Sequence, residues 1–506
     1  MDIKEFRQLG EEGFSNVPIT REIIADLDTP LTCYIKLARG PYSYLLESAA
    51  QGGEKWSRYS IVGLPATKII KISAHIVSTW VSGEIVDSFS HPDPLKYIEE
   101  LLENINYPNV EGMPIYTGGL VGYFGYDTVR YVENSLEESA PRDVLELPDI
   151  QLMYSNELVV FDNVKGRMHL VTHADPLEEG SFEQAQLRLD KMSIAMAAEV
   201  PISLKAPVEG PEISEDDFLS SYGKKNFVAD IKRIKDYILD GDVMQVVLSQ
   251  RMSVPFESDP LNFYRALRTL NPSPYMYFLD LDDLQIVSSS PEILAKLENS
   301  LVTVRPLAGT RRRGITESED LELEEELLND EKEVAEHLML IDLGRNDIGK
   351  VCSPGSVVLS EKMVVERYAH VMHIASNVQG HLKENLRAID LLRATLPVGT
   401  LSGAPKVRAM QIIDELEPEK RGVFGGAVGY LSWNGNMDTA IAIRTGIIKD
   451  QVLYVQAGAG VVADSNAESE WQETINKARS IFQAASFAET GLDIFDESSL
   501  RSGRIR

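Results

Sequence analysis

The sequence predicts an α+β protein of layered antiparallel β-sheets flanked by helices, and three observations carry that prediction. Short β patterns come in adjacent runs instead of alternating one for one with helices, which argues against a doubly wound parallel sheet. Two hairpin signals join such runs: Asp162-Asn163-Val164-Lys165-Gly166-Arg167, and Asn434-Gly435 between Ala427 to Trp433 and Ala440 to Ile448. Three prolines in eleven residues, Pro201 to Pro211, mark a linker between a β-rich part and a mixed part.

In chain order, the strand patterns of the first part are Thr32 to Leu37, Ser57 to Val62, Lys68 to Ile72, Ile76 to Val81, Gln151 to Tyr154 and Leu158 to Phe161. A helix, Pro94 to Ile105, interrupts them, and a charged helical stretch, Pro176 to Val200, follows. The expected division is an N-terminal β-rich domain, 1–200, a linker, 201–213, a second domain, 214–490, and a frayed tail, 491–506. Ser214-Glu215-Asp216-Asp217 reads as the start of a helix running to Asp240. Val243 to Ser253, Met276 to Leu281, Gln285 to Ser289 and Leu301 to Val304 are strand-like, Leu261 to Leu270 is helical, and Glu317 to Leu343 is a long acidic helical region. At the end, Val452-Leu453-Tyr454-Val455 enters a glycine turn, Gly458-Ala459-Gly460, and a helix begins near Ala467.

A formal net charge of -29, from 49 Lys+Arg against 78 Asp+Glu, disfavours nucleic acid and anionic membranes as partners. An anionic substrate then requires a locally inverted field from a bound cation and a few aimed Arg or Lys side chains. No uninterrupted apolar run reaches membrane-span length, and Met1-Asp2-Ile3-Lys4-Glu5-Phe6 lacks a charged-then-apolar segment, so a cytoplasmic location is expected. Two cysteines, Cys33 and Cys352, are too few for a disulfide framework or a structural zinc site, and Cys33 reads as a small buried apolar residue.

The chemistry is concentrated on two helices. In the last, Trp471, Ile475, Ala478 and Phe482 form a core stripe, while Glu470, Glu473 and Lys477 share a neighbouring face within roughly 60°. The acidic helix repeats the theme with Glu333 and Glu336 at i, i+3. A carboxylate pair on one helix is ordinarily a solvated face. Two pairs, one of them beyond a strand end and a glycine stretch, suggest instead a hard divalent ion on oxygen ligands, with Mg2+ the natural candidate.

Other stretches have narrower readings. Gly458 to Ala463 fits a dinucleotide pattern only loosely, because residues 461–506 are too few to complete that fold; backbone N-H groups binding a carboxylate, or a plain tight turn, remain. Thr395 to Lys406 is dense in turn formers but lacks a phosphate-loop ending. Arg444 inside an apolar strand, Ala440 to Thr445, demands a partner or a substrate carboxylate. His370 and His373 are acid-base candidates beside the commoner structural role. Glu292, where Pro291 breaks a strand, reads as a tuned general acid or a helix-start residue.

Pro306-Leu307-Ala308-Gly309-Thr310-Arg311, Asp342-Leu343-Gly344-Arg345-Asn346-Asp347, His370-Val371-Met372-His373, Leu401-Ser402-Gly403-Ala404-Pro405-Lys406, Gly425-Gly426-Ala427-Val428-Gly429-Tyr430 and Gln456-Ala457-Gly458-Ala459-Gly460 together resemble the chorismate-utilising enzymes. They are similar in particular to the large, aminating subunits of anthranilate synthases, over nearly the whole chain. The resemblance implies the fold of chorismate-binding enzymes with an N-terminal β-rich regulatory part. It matches Glu336 and Glu473 to Mg2+ ligands, completed by Glu333 and Glu470. Chorismate is then held by Gly309, Thr310, Thr400, Arg444, Gly458, Ala459, Gly460 and Lys477. Ammonia adds at ring C2 as the C4 hydroxyl leaves with Glu292 as acid, and His373 helps the loss of pyruvate that gives anthranilate, the first committed step toward L-tryptophan.

Two positions resemble neither sister activity. Ala308 stands where 4-amino-4-deoxychorismate enzymes carry a nucleophilic lysine, and Gln245, in the catalytic set, stands where isochorismate and salicylate synthases carry a water-activating lysine. Phe424 departs from the family's usual tyrosine and loses a substrate hydroxyl contact. Leu45 to Ser48 with Asn271 to Met276 resembles the family's tryptophan feedback site, implicating Glu47, Ser48, Pro274, Tyr275 and Met276 in an inhibitor site between the two domains. Neither cysteine lies in a nucleophile turn, so a separate glutamine amidotransferase subunit is implied, in a heterotetramer of two large and two small subunits.

Overall fold

The computed structural model describes residues 1–49, 58–200, 213–368 and 371–492. His370, residues 201–212 of the expected linker and 493–506 of the expected tail lie outside the described residues. Two antiparallel sheets of twelve strands each form the molecule. The first runs Val17–Ile24, Arg167–Ala174, Leu158–Asp162, Tyr59–Gly63, Ser43–Glu47, Tyr275–Asp280, Leu284–Ser290, Thr445–Lys449, Val452–Val461, Gln245–Pro255 and Leu219–Ser220, with Gly403–Ala404 beside Gln245–Pro255. The second runs Leu307–Arg312, Val371–His381, Leu301–Val304, Ile293–Glu298, Met437–Ile441, Ala427–Ser432, Gly119–Phe124, Ile150–Ser155, Lys68–Ser73, Ile76–Val81 and Glu84–Ser90, with Val358–Arg367 beside Val371–His381.

An apolar cluster from both sheets, including Tyr44, Ile61, Val121, Tyr277, Val428 and Ile447, fills the space between them. Helices cover the outer faces, as an α+β layering requires. The helix Ala467–Glu489 buries Ala478 and Phe482, with Phe482 packed on Phe218 at 4.0 Å between ring centres. Its Asn466 cap accepts from the N-H groups of Glu468 and Ser469, and the helix Glu331–Gly349 is capped likewise by Asp330. Both caps satisfy N-H groups that have no intrahelical partner. Among the described residues no helix is long and apolar enough to cross a membrane.

Two chain crossings between the sheets lie side by side. Leu284–Ser290 pairs with Thr445–Lys449 in one sheet, and their continuations, Ile293–Glu298 and Met437–Ile441, pair in the other. Glu292 and Arg444 sit on the two links. The backbones stay joined there, Ile441 N-H donating to Glu292 O at 3.0 Å and Ser289 N-H to Arg444 O at 3.1 Å. Arg444 is therefore not inside a strand, as its apolar neighbours suggested: the run from Ala440 to Ile448 breaks where it changes sheets.

Three further expectations are corrected. Thr32 to Leu37 is helical, in Pro30–Cys33 and Tyr34–Ala38, because Pro30 follows a Thr29 cap that closes on Thr32. Ser214 does cap with Asp217, but only a single 3-10 turn follows; Leu219–Ser220 then joins the sheet, and the helix starts at Lys224. Gly458-Ala459-Gly460 is extended within Val452–Val461. A Cβ at Gly460 would stand 2.6 Å from Gln245 Nε2, the movable end of that side chain, so Gly460 lies against Gln245 within a strand and takes part in no turn.

Candidate active site

The crossings place a carboxyl and a guanidinium together in a partly buried pocket. Burial pushes Glu292 up to about 7, against the pull of Lys477, Arg444 and Thr400. The Thr400 hydroxyl is buried and faces that carboxyl without a bond of hydrogen-bonding length. Arg444 takes a left-handed backbone, φ 51°, at a cost of roughly 1–2 kcal/mol. Its guanidinium donates to the carbonyl of Lys477, which ties the crossing to the Ala467–Glu489 helix.

Lys477 is the hub on that helix. Its ammonium meets Glu473 Oε1 at 2.7 Å and donates to Gly458 O at 3.0 Å. The second bond reveals the edge of Val452–Val461: beyond Val455 no strand among the described residues pairs with it on that side. Val247 N-H and C=O, opposite Gly460, are engaged by Ser402 and Arg421, and Ser249 N-H, opposite Gly458, by Glu417. Gly458 and Gly460 therefore turn their own N-H groups to the open edge, as alternate residues of an antiparallel strand do. Ala459 is fully buried and faces the other side. An anion at this edge meets backbone donors and no Cβ.

His373 Nδ1 lies 2.9 Å from Gly309 O and 3.1 Å from Thr310 Oγ1. A carbonyl only accepts, so Nδ1 carries the proton and Nε2 keeps a lone pair. Burial, with Arg444 repulsion, lowers its proton affinity, leaving a neutral imidazole. Gly309, φ 68°, presents its back to Glu333: a Cβ would sit 3.3 Å from Glu333 Oε2.

The two carboxylate pairs come close from different helices, Glu473 near enough to Arg444 to act on its charge and Glu333 beside Gly309. Glu333 is raised by burial and then by Glu336; Glu470 is raised by burial, with Glu473 adding and Lys477 and Lys332 opposing. Since Lys332 belongs to the first turn of the Glu331–Gly349 helix, the N-terminal ends of the two helices approach one another. Among the described residues, no three His, Cys, Asp or Glu side chains converge closely enough to grip a metal ion by themselves. The donor chemistry nonetheless fits Mg2+: oxygen only, mutually repelling, and few enough that water and an anionic ligand supply the rest. Of the residues singled out in the sequence, Glu292, His373, Gly309, Thr310, Thr400, Arg444, Gly458, Lys477, Glu333, Glu470 and Glu473 are linked by these contacts. Gln245 joins through Gly460. Glu336 enters only through Glu333, and Phe424 is buried in the core, with Arg421 over its ring at 5.7 Å. Lys332 was not anticipated, being one charge among many on an acidic helix.

A separate cavity of about 400 Å³ opens between the sheets. Glu47, Ser48, Pro274, Tyr275 and Met276 all line it, and so do Arg58, Lys296, Glu298 and Asp438, which sequence reasoning missed. Asp438 is raised by burial and accepts from Tyr275 Oη at 3.1 Å. The only sequence signal was a carboxylate at an inward strand position, Met437-Asp438-Thr439.

A family model described as chorismate binding enzyme matches residues 43–483. The chain is 55% identical to an anthranilate synthase component 1 of Pseudomonas putida, over 97% of this chain and 99% of the relative. Among solved structures, anthranilate synthase component I from Streptococcus pneumoniae aligns with a TM-score of 0.76 at 39% identity, covering 91% of this chain and 99% of that one. A menaquinone-specific isochorismate synthase from Escherichia coli aligns with a TM-score of 0.68 at 18% identity, over 95% and 99%, a likeness of fold.

Proposed function

The chain belongs to the chorismate-binding enzymes, within the family of anthranilate synthase component 1, and from that membership we propose that it makes anthranilate from chorismate and ammonia under tryptophan control. It is a chorismate-utilising lyase with the large-subunit role in tryptophan biosynthesis. The observation that carries the finer reading is Glu292, a carboxyl held half-protonated near neutral pH beside two cations.

In this reading Arg444, Lys477 and the N-H groups of Gly458 and Gly460 hold the carboxylates of chorismate. Glu292 gives its proton to the C4 hydroxyl, which leaves as water while ammonia bonds to C2. His373 Nε2 then takes the C2 proton, the ring C3–O bond to the enolpyruvyl group breaks, and the ring becomes aromatic as enolpyruvate departs and takes up a proton to become pyruvate. Glu336 and Glu473, with Glu333 and Glu470, would hold Mg2+, whose charge would offset the ring carboxylate. Ala308 and Gln245 supply neither an amine nucleophile nor a base, which supports free ammonia as the attacking group. A glutamine amidotransferase partner would deliver that ammonia, two copies of each subunit assembling.

The cavity between the sheets is the proposed tryptophan site. Its walls include Lys296 and Asp438, on the strands that continue into the Glu292 and Arg444 crossings, so a ligand there is placed to alter the angle at both links.

The test is a product assay on the purified chain. Chorismate with ammonium and Mg2+ should yield anthranilate and pyruvate, chelator should stop it, tryptophan should inhibit it, and glutamine should not replace ammonium. Isochorismate or an aminodeoxychorismate as the final product would refute the reaction assignment.

A further inference from the structure

Two stretches have so far contributed no more than Thr400 to the chemistry above: Asp342-Leu343-Gly344-Arg345-Asn346-Asp347, in the C-terminal half of the Glu331–Gly349 helix, and the turn from Gly399 to Lys406. The fold brings them into contact at two points. Leu343 lies on Gly399, where an added Cβ would stand 1.7 Å from Leu343 Cδ2. One helical turn on, the buried Asp347 receives Lys406 Nζ at 2.9 Å and Lys350 Nζ at 3.2 Å.

The far side of the turn is fixed as well. Arg421, 2% exposed and paired with Glu417, donates to Leu401 O at 2.6 Å. The turn is thus caught between a rigid arginine and the helix. Glu292, Thr400, Leu343 and Asp347 border one small cavity, so the ion pair and the acid share a wall. Glu336 lies about two turns up the same helix from Leu343, and a helix moves as a unit, so a shift at Leu343 is carried to Glu333 and Glu336.

We propose that the Leu343–Gly399 contact and the Asp347–Lys406 pair are the positioning device that sets the carboxylates of this helix against Thr400 and Glu292. Replacing a whole buried ion pair is often neutral in stability, whereas removing one partner leaves a buried charge; here Lys350 stays beside Asp347 when Lys406 is lost. The proposal rests on the functional reading above, since it assumes that both sides serve one site.

The experiment uses the full chain with ammonium as nitrogen source and four variants: Lys406→Met, Lys406→Arg, Gly399→Ala, and Gly399→Ala combined with Leu343→Ala. The two single disruptions should lower kcat by roughly 10²-fold, the cost of an ångström-scale misplacement, with the KM for chorismate little changed. Lys406→Arg and the double variant should recover most of the loss, and thermal midpoints should not track kcat. A crystal of Gly399→Ala should show the helix displaced from the turn. Wild-type kcat in folded Lys406→Met and Gly399→Ala, or an undisplaced helix, would overturn the proposal. A wild-type chain inert toward chorismate and ammonium refutes the functional reading first, and the proposal with it.

Discussion

Glu292 and His373 are shifted in opposite directions by one cause, removal from water, acting on groups of opposite charge type. Burial favours the neutral form of each, so the carboxyl keeps its proton to about 7 and the imidazole stays free of a second one. An acid and a base can thus coexist at neutral pH. A general acid works protonated, so activity should decline as pH rises through about 7 in a pH profile. Glu292→Gln should remove that limb and cost about 10²–10⁴-fold in kcat. His373→Ala should slow the second stage more than the first, so that chromatography finds an aminated product still carrying its enolpyruvyl group; exclusive loss of the first stage would exclude His373 as the base. These residues were legible because their types announce their chemistry. Arg444 was legible as a charge in an apolar run, but its surroundings depend on a crossing that adjacent residues do not encode.

The helix Glu317–Asn329 shows how an element is held when it has little to bury. Only Asp320 and Leu327 are buried on it, and arginines in or just past neighbouring strands take its acids: Arg313 and Arg367 at Asp320, 2.8 and 3.1 Å, and Arg311 at Glu326, 2.8 Å. Arg311 also reaches Asp330 at 2.7 Å, the cap of the helix that carries Glu333 and Glu336. Arg313 and the Gly314 N-H hold the Asp320 carboxyl well below the usual range, so the strap is complete at neutral pH and fails only as pH falls through that depressed value. Ion pairs that reach solvent, such as Arg311–Glu326 with the Glu326 side chain 61% exposed, are screened by salt. Hydrogen exchange of residues 317–329 should therefore quicken in about 1 M salt, while the apolar-packed helix Ala467–Glu489 is unaffected; equal protection in both would show that the strap is not electrostatic. The acidic composition of this helix was plain in the sequence, whereas its break at Asp330 was not, because the cap continues the same acidic pattern.

Over the whole molecule, each sheet draws strands from both halves of the chain, and the cavity proposed for tryptophan lies between them. Ser48 has a buried hydroxyl without a partner among the described residues at that cavity. Ser48→Phe should fill the space, abolish tryptophan inhibition and spare ammonia-dependent turnover, measured side by side; retained inhibition would move the tryptophan site elsewhere. By itself the sequence determined the chemistry of the side chains and the periodicity of the elements: the layered antiparallel class, the capped helices, the carboxylate pairs and the acid, base and cations near them. Only the tertiary structure decided that Ala440 to Ile448 belongs to two sheets, that Gly458 and Gly460 offer a strand edge instead of a turn, and that Leu343 and Asp347 lock onto Gly399 and Lys406. The reason is physical. Charge, caps and periodicity are properties of neighbouring residues, whereas strand pairing and close approach depend on which distant surfaces exclude water together.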